Sequence, residues 1–279
     1  MKVFVSFDME GVAGIVDWSQ CRGPGQAYEE GRRLLLGEVN AAIDGAIDGG
    51  ATEIVCNDSH GTMFNLDPAA LGGGASYIAG RHKPLYMMQG LDESFGAVFM
   101  IGYHGSISGE SSVLSHTYNP SVISQVTLNG VSTGESGINA LVALACRVPV
   151  VLISGDQVTA DEASEFFPGA ERVVVKESFT RFGASSVHPD EARRRIRAAA
   201  ERAMATAARD GQVAPLPRID LPVTLTVHMQ NADMAEVASW IKGVQRSGTR
   251  EVTITGADPL AVHRAFVAVT YITRVAEGR

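Results

Sequence analysis

Asp8 and Glu10 stand two residues apart in Asp8-Met9-Glu10, and Asp58 and His60 stand two apart in Asp58-Ser59-His60. In extended backbone, residues i and i+2 project to the same side, so each pair aims two polar groups in one direction. Two carboxylates held together repel, and one pKa rises unless a cation or a base neutralises them. A divalent metal ion removes that conflict. Mixed carboxylate and imidazole donors suit zinc, manganese or iron better than calcium or magnesium, which favour all-oxygen shells. A third segment, Tyr103-His104, adds another imidazole. Taken singly, an acid in such a place is a loop carboxylate or a helix cap, and a histidine is a hydrogen-bonding residue. The metal reading rests on the coincidence of all of them at corresponding points of the chain.

Those points are the ends of strands. Val3 to Asp8 is apolar nearly throughout and then ends in acid, Glu53 to Asn57 is a short strand ending in Asp58-Ser59-His60, and Ala97 to Tyr103 is a strand ending in His104. Near-continuous apolar strands belong in a sheet covered on both faces. Between the first two, Leu35, Val39, Ala42, Ile43 and Ala46 recur at helical spacing before Gly49-Gly50 stops the pattern. Further on, the reading is a strand at Ile123 to Leu128 turned at Asn129-Gly130, a helix at Gly137 to Cys146, a strand at Pro149 to Ile153, and helices at Thr159 to Phe166 and Pro189 to Arg209. Alternating strands and helices imply an α/β fold, a mostly parallel sheet sandwiched by helices. In such sheets ligands bind beyond the carboxyl ends of the strands, so Asp8, Glu10, Asp58, His60 and His104 should open onto one crevice.

Pro215, Pro217 and Pro222 make Gln212 to Pro222 the best linker in the chain. Beyond it a strand at Val223 to His228, a short helix, a strand at Glu251 to Thr255 and a helix from Pro259 to Val275 form a small C-terminal α/β subdomain. The expected division is a catalytic α/β domain over 1–214 and the subdomain over 215–279.

With 279 residues, 45% apolar and 19% charged, the chain can bury a large core. A formal charge of −8 argues against a nucleic-acid or anionic-membrane partner, either of which needs clustered Lys and Arg. No stretch approaches the roughly 20 apolar residues of a membrane span. The opening MKVFVSFDMEG is too short and too soon acidic for a signal peptide, and Cys21, Cys56 and Cys146 lack CxxC spacing. A cytoplasmic protein without disulfides is expected.

The sequence also resembles the zinc-dependent D-aminopeptidases of the dipeptide-transport operon type, a family of binuclear zinc peptidases. The matching segments are DMEGVAG at Asp8 to Gly14, NDSHG at Asn57 to Gly61, GYH at Gly102 to His104, LSHT at Leu114 to Thr117 and NGVSTGESGINA at Asn129 to Ala140. Carried over by position, the resemblance implies that Asp8, Glu10, His60, His104 and Glu135 hold two zinc ions per subunit, with Asp8 bridging them, and that His116 is a catalytic residue outside the ligand set. It further implies cleavage of N-terminal D-residues from short peptides or amino-acid amides by a metal-bridged hydroxide, and a homo-oligomer, a decameric ring. The residues alone would leave Glu135 as a first-turn helix glutamate and His116 as a loop residue. Gly105 and Ser136-Gly137-Ile138 depart from the alanine and Leu-Gly-Leu expected there, which bears on substrate preference more than on metal binding.

Around the ligands, Asp58 is the expected orienting partner of His60, with Asn57 and Asn139 as weaker positioning candidates. Lys176 and Arg181 read as surface cations. Three rival readings compete. A binuclear metallophosphoesterase would use Gly155-Asp156-Gln157-Val158-Thr159, although Thr159 stands at its second acid position. A Ser-His-Asp hydrolase would use Asp58-Ser59-His60, although neighbours in extended chain point opposite ways and no GxSxG occurs. A non-catalytic α/β module would bind an amino acid or peptide without turnover.

Overall fold

A computed structural model describes residues 1–207 and 214–277. In chain order its elements are β1 (Lys2–Phe7), α1 (Trp18–Cys21), α2 (Gln26–Asp48), β2 (Glu53–Asp58), β3 (Ser76–Ile78), β4 (Ala97–Ile101), β5 (Ile123–Leu128), β6 (Val131–Ser132), α3 (Glu135–Ala145), β7 (Val150–Asp156), α4 (Gln157–Phe166) and β8 (Glu171–Thr180). There follow β9 (Gly183–Ser186), α5 (Pro189–Ala207), β10 (Val223–Met229), α6 (Ala232–Ala238), β11 (Val244–Arg246), β12 (Glu251–Gly256) and α7 (Pro259–Ile272).

The main sheet has the order β3-β2-β1-β4-β7-β8-β9, parallel except for the hairpin partner β9. The apolar alternation of its strands explains the layering. In β1, Val3, Val5 and Phe7 face a core shared with Leu35, Val39 and Ile43 of α2 and Ile196 and Ala200 of α5. Phe4 faces the opposite core, built with α3, α7 and the second sheet. Each face therefore carries apolar side chains, and the sheet is an α/β layer as expected.

The second sheet, β11-β12-β10-β5-β6, is antiparallel, and Val126, Leu128, Leu225, Val227, Val252 and Ile254 turn one of its faces to that same core. β5 and β6 precede the expected boundary at 214/215, so the smaller sheet draws strands from both sides of it. Gln212 at the start of the expected linker, and the expected helix end at Arg209, lie outside the described residues. The β8–β9 hairpin was not legible in the sequence, because β8 mixes buried and exposed residues without clean alternation.

Chain order runs outward from β1 to β2 and β3 on one side and from β4 to β7 and β8 on the other, so the switch point lies between β1 and β4. There the two strand ends lock together. The amide of Asp8 donates to Ile101 O at 2.8 Å, and that of Gly11 donates to Gly102 O at 2.8 Å. Gly102 ends β4 early, at φ +71, where a Cβ would fall 2.3 Å from Asp8 O. A Cβ on Gly11 would fall 1.7 Å from Tyr103 O. Only glycine permits this approach. Gly11→Ala should therefore cost at least ~1–3 kcal/mol of stability, as overpacking against backbone does, read as a lower denaturant midpoint with an unchanged slope.

Candidate metal centre

Because β2, β1 and β4 are adjacent and in register, with Phe7 level with Asp58 and Ile101, the residues that follow them meet. Asp8 stands between two histidines: its Oδ1 is 3.1 Å from His60 Nδ1 and its Oδ2 is 3.4 Å from His104 Nε2. Glu10 Oε2 is 2.9 Å from His60 Nδ1. Glu135, the first residue of α3, reaches in from the side, where its Oε1 accepts from the Tyr118 amide at 2.8 Å and lies 3.7 Å from His104 Nε2. The exposed backbone N–H groups of a helix start suit an anion there. All five expected ligands thus converge, and all are buried.

His116 joins them. Its ring stacks on that of His104 with centroids 4.2 Å apart, Trp18 packs edge-on at 5.5 Å, and its Nε2 is 3.7 Å from Glu135 Oε1. Ligand-capable atoms of Asp8, Glu10 and His104 lie within 4.8 Å of one another, as do those of His104, His116 and Glu135.

The donor set fits zinc. His104 Nε2 is buried without a hydrogen-bond partner while facing two carboxylates, as a nitrogen awaiting a cation would. Each histidine is also oriented from behind. A carbonyl can only accept, so His60 Nε2 donates to Cys21 O at 2.8 Å and turns Nδ1 toward Asp8 and Glu10, whose charges hold the imidazole well above its ordinary pKa. His104 Nδ1 donates to Gly105 O at 3.0 Å, and His116 Nδ1 donates to Leu114 O at 2.9 Å.

The electrostatics follow from these contacts. Burial pushes the Asp8 carboxyl up, but His104 and His60 outweigh it and hold Asp8 well below its ordinary value. Burial, only partly offset by His104, lifts Glu135 to about 8. Burial and the neighbouring His104 depress His116 to about 4, so its imidazole is neutral with a bare Nε2.

Several expectations need correction. Asp58 does not touch the His60 ring; it accepts from the Asn65 amide side chain at 2.7 Å and the Tyr77 hydroxyl at 2.6 Å, fixing the loop that carries His60. The orienting partner is the Cys21 carbonyl, and no backbone carbonyl is visible in a pattern of side chains. Asn57 donates to Met87 O at 2.6 Å, and Asn139 to the Tyr103 hydroxyl at 3.1 Å, so both brace the walls. Lys176 is no surface cation. Buried at 1% exposure, its Nζ donates to Glu10 O, Val12 O and Ile15 O and clamps the loop that carries Glu10. The signal was present, a lysine ending the run Val173-Val174-Val175. Gly105 packs against Ser112 and Val158, and Ile138 lies in the core, so these departures serve packing.

The rival sites are spent elsewhere. Asp156 caps α4 through Thr159 and accepts from Ser112 and Ser178. The Ser59 hydroxyl is buried against Ser6 and Met87 O, away from any imidazole.

The cluster forms one wall of a cavity of about 490 Å³. Comparison with known proteins points the same way. Residues 1–268 match the M55 peptidase family, described as D-aminopeptidase. The chain is 34% identical over 271 residues to a D-aminopeptidase of Bacillus subtilis (strain 168), covering 97% of each. It also superposes with TM-score 0.89 and 30% identity on the Zn-dependent D-aminopeptidase of Bacillus subtilis, a self-compartmentalizing protease, covering 98% of each chain.

The loop clamp generates a pH dependence. Glu38 Oε1 accepts from the Ala13 amide at 2.9 Å, its Oε2 has no partner, and burial raises it from 4.5 to about 7. The folded state holds this proton more tightly than the unfolded chain, so this contribution to stability is fully present below pH 4.5 and is lost as pH rises through about 7. Glu38→Gln should flatten that decline, worth up to ~3 kcal/mol at pH 8, as followed by chemical denaturation at several pH values.

Proposed function

The chain belongs to the M55 family of D-aminopeptidases, and from that premise we propose that Asp8, Glu10, His60, His104 and Glu135 hold two zinc ions per subunit, with Asp8 shared between them. The enzyme is a metal-dependent aminopeptidase acting on D-residues. The observation that carries the site assignment is the buried, unpartnered His104 Nε2 facing the carboxylates of Asp8 and Glu135.

When bound, zinc supplies Lewis acidity toward the scissile carbonyl and a water whose pKa falls toward about 7. The chain's own residues do the rest. Asp8 presents one oxygen to each histidine, so the ligand groups on both sides share a carboxylate. The Cys21 and Gly105 carbonyls fix the far nitrogens of His60 and His104, so that the near nitrogens face the acids and would offer lone pairs once a cation replaces their proton. His116, held by Leu114 O and stacked on His104, turns Nε2 to the cavity. Its Nε2 takes a proton from the attacking water and passes it to the leaving amine as the peptide bond breaks.

We place the enzyme in the cytoplasm, in keeping with its three free cysteines. Likeness to a self-compartmentalizing protease supports a homo-oligomer, which we take to be a decameric ring.

His116→Ala should lower kcat by roughly 10²–10⁴-fold while zinc analysis still finds two ions per chain; loss of zinc would instead make His116 a ligand. Light scattering should return about ten times the 29.5 kDa chain mass, and a monomer or dimer would refute the ring.

A further inference from the structure

The cavity is acidic where the ligands gather and cationic elsewhere. Arg81, from the loop between β3 and β4, and Arg274, from the turn after α7, both line it. Arg81 Nη1 lies 3.5 Å from the carbonyl of Gly61, the residue next to His60. Burial raises the phenols of Tyr86 and Tyr271, and both guanidiniums lie close enough to oppose that rise, so two distant segments bring like charges to one region of one pocket.

Among the described residues neither cation has a carboxylate within hydrogen-bond reach: Arg81 has none within 4 Å, and Arg274 has only Glu277, at 3.8 Å. The Glu277 Oε1 already accepts the Asn119 amide at 2.8 Å. Arg193, Arg194, Arg195, Arg197, Arg202 and Arg246, all outside the cavity, each have an acid within 3 Å. The third cavity arginine, Arg22, is occupied over the Trp18 ring at 4.3 Å. Two guanidiniums without a hydrogen-bonded carboxylate, in a concave site of ligand size, form a receptor for a planar anion.

We propose that Arg81 and Arg274 bind the free carboxylate at the C-terminal end of a short peptide whose amino end lies at the Asp8, Glu10 and His104 cluster. The inference rests on the aminopeptidase reading and deepens it, since it makes these two arginines the determinants of substrate length and selects peptide acids over amides.

The test uses the full-length, zinc-loaded enzyme with D-alanylglycine and its C-terminal amide. The acid should exceed the amide in kcat/KM by roughly tenfold or more, chiefly through KM, as expected for charge-assisted hydrogen bonds. In Arg81→Gln and in Arg274→Gln the acid-to-amide ratio should collapse toward one, and Arg81→Lys should keep part of it. Because each ratio is measured within one preparation, partial unfolding cancels. A ratio near one in the unmodified enzyme, or one unchanged in both glutamine variants, overturns the proposal and leaves the aminopeptidase reading standing. Hydrolysis of neither substrate overturns that reading, and the proposal with it.

Discussion

Three carboxylates, those of Asp8, Glu10 and Glu135, are buried at the floor of one cavity. Such a gathering is costly unless positive charge compensates it, and much of the surrounding structure supplies or aims that compensation. His60 and His104 flank Asp8 on either side, and their far nitrogens are tied to backbone carbonyls so that the near ones face the acids. The remaining deficit is what suits the floor to a cation. Chemistry and stability are therefore set by the same contacts.

Holding the floor requires an unusually close junction of β1 and β4. Gly11 and Gly102 let the two backbones cross at distances that any side chain would block. Lys176 and Glu38 then pin the loop from Glu10 to Ile15 from below. A buried lysine directed at three carbonyls has the capacity to satisfy all three with its three N–H donors, so the loop keeps its course without forming a helix or strand.

The walls are assembled from parts remote in sequence. Asn139 on α3 holds the Tyr103 hydroxyl and accepts from that of Tyr118 at 2.7 Å, and the Tyr118 amide in turn holds Glu135. The turn after α7 brings in Arg274, so the C-terminal region takes part in the site as well as in the second sheet. Reading that region as an appendage missed this, because the strand it pairs with, β5, lies far upstream.

The sequence by itself determined the α/β layering and four of the five candidate ligand positions, those of Asp8, Glu10, His60 and His104. Apolar runs that end abruptly in acid or histidine are local signals, and parallel strands bring such ends to one edge. The family motifs then added Glu135 and His116, whose own surroundings in the chain are ordinary. Only the tertiary structure decided which groups orient the histidines, that Asp58 serves a loop and not a ring, and that Lys176 is buried. Carbonyl partners, strand order across the switch point and the burial of a single lysine all depend on contacts between segments far apart in the chain, and no local pattern of residue types encodes those distances.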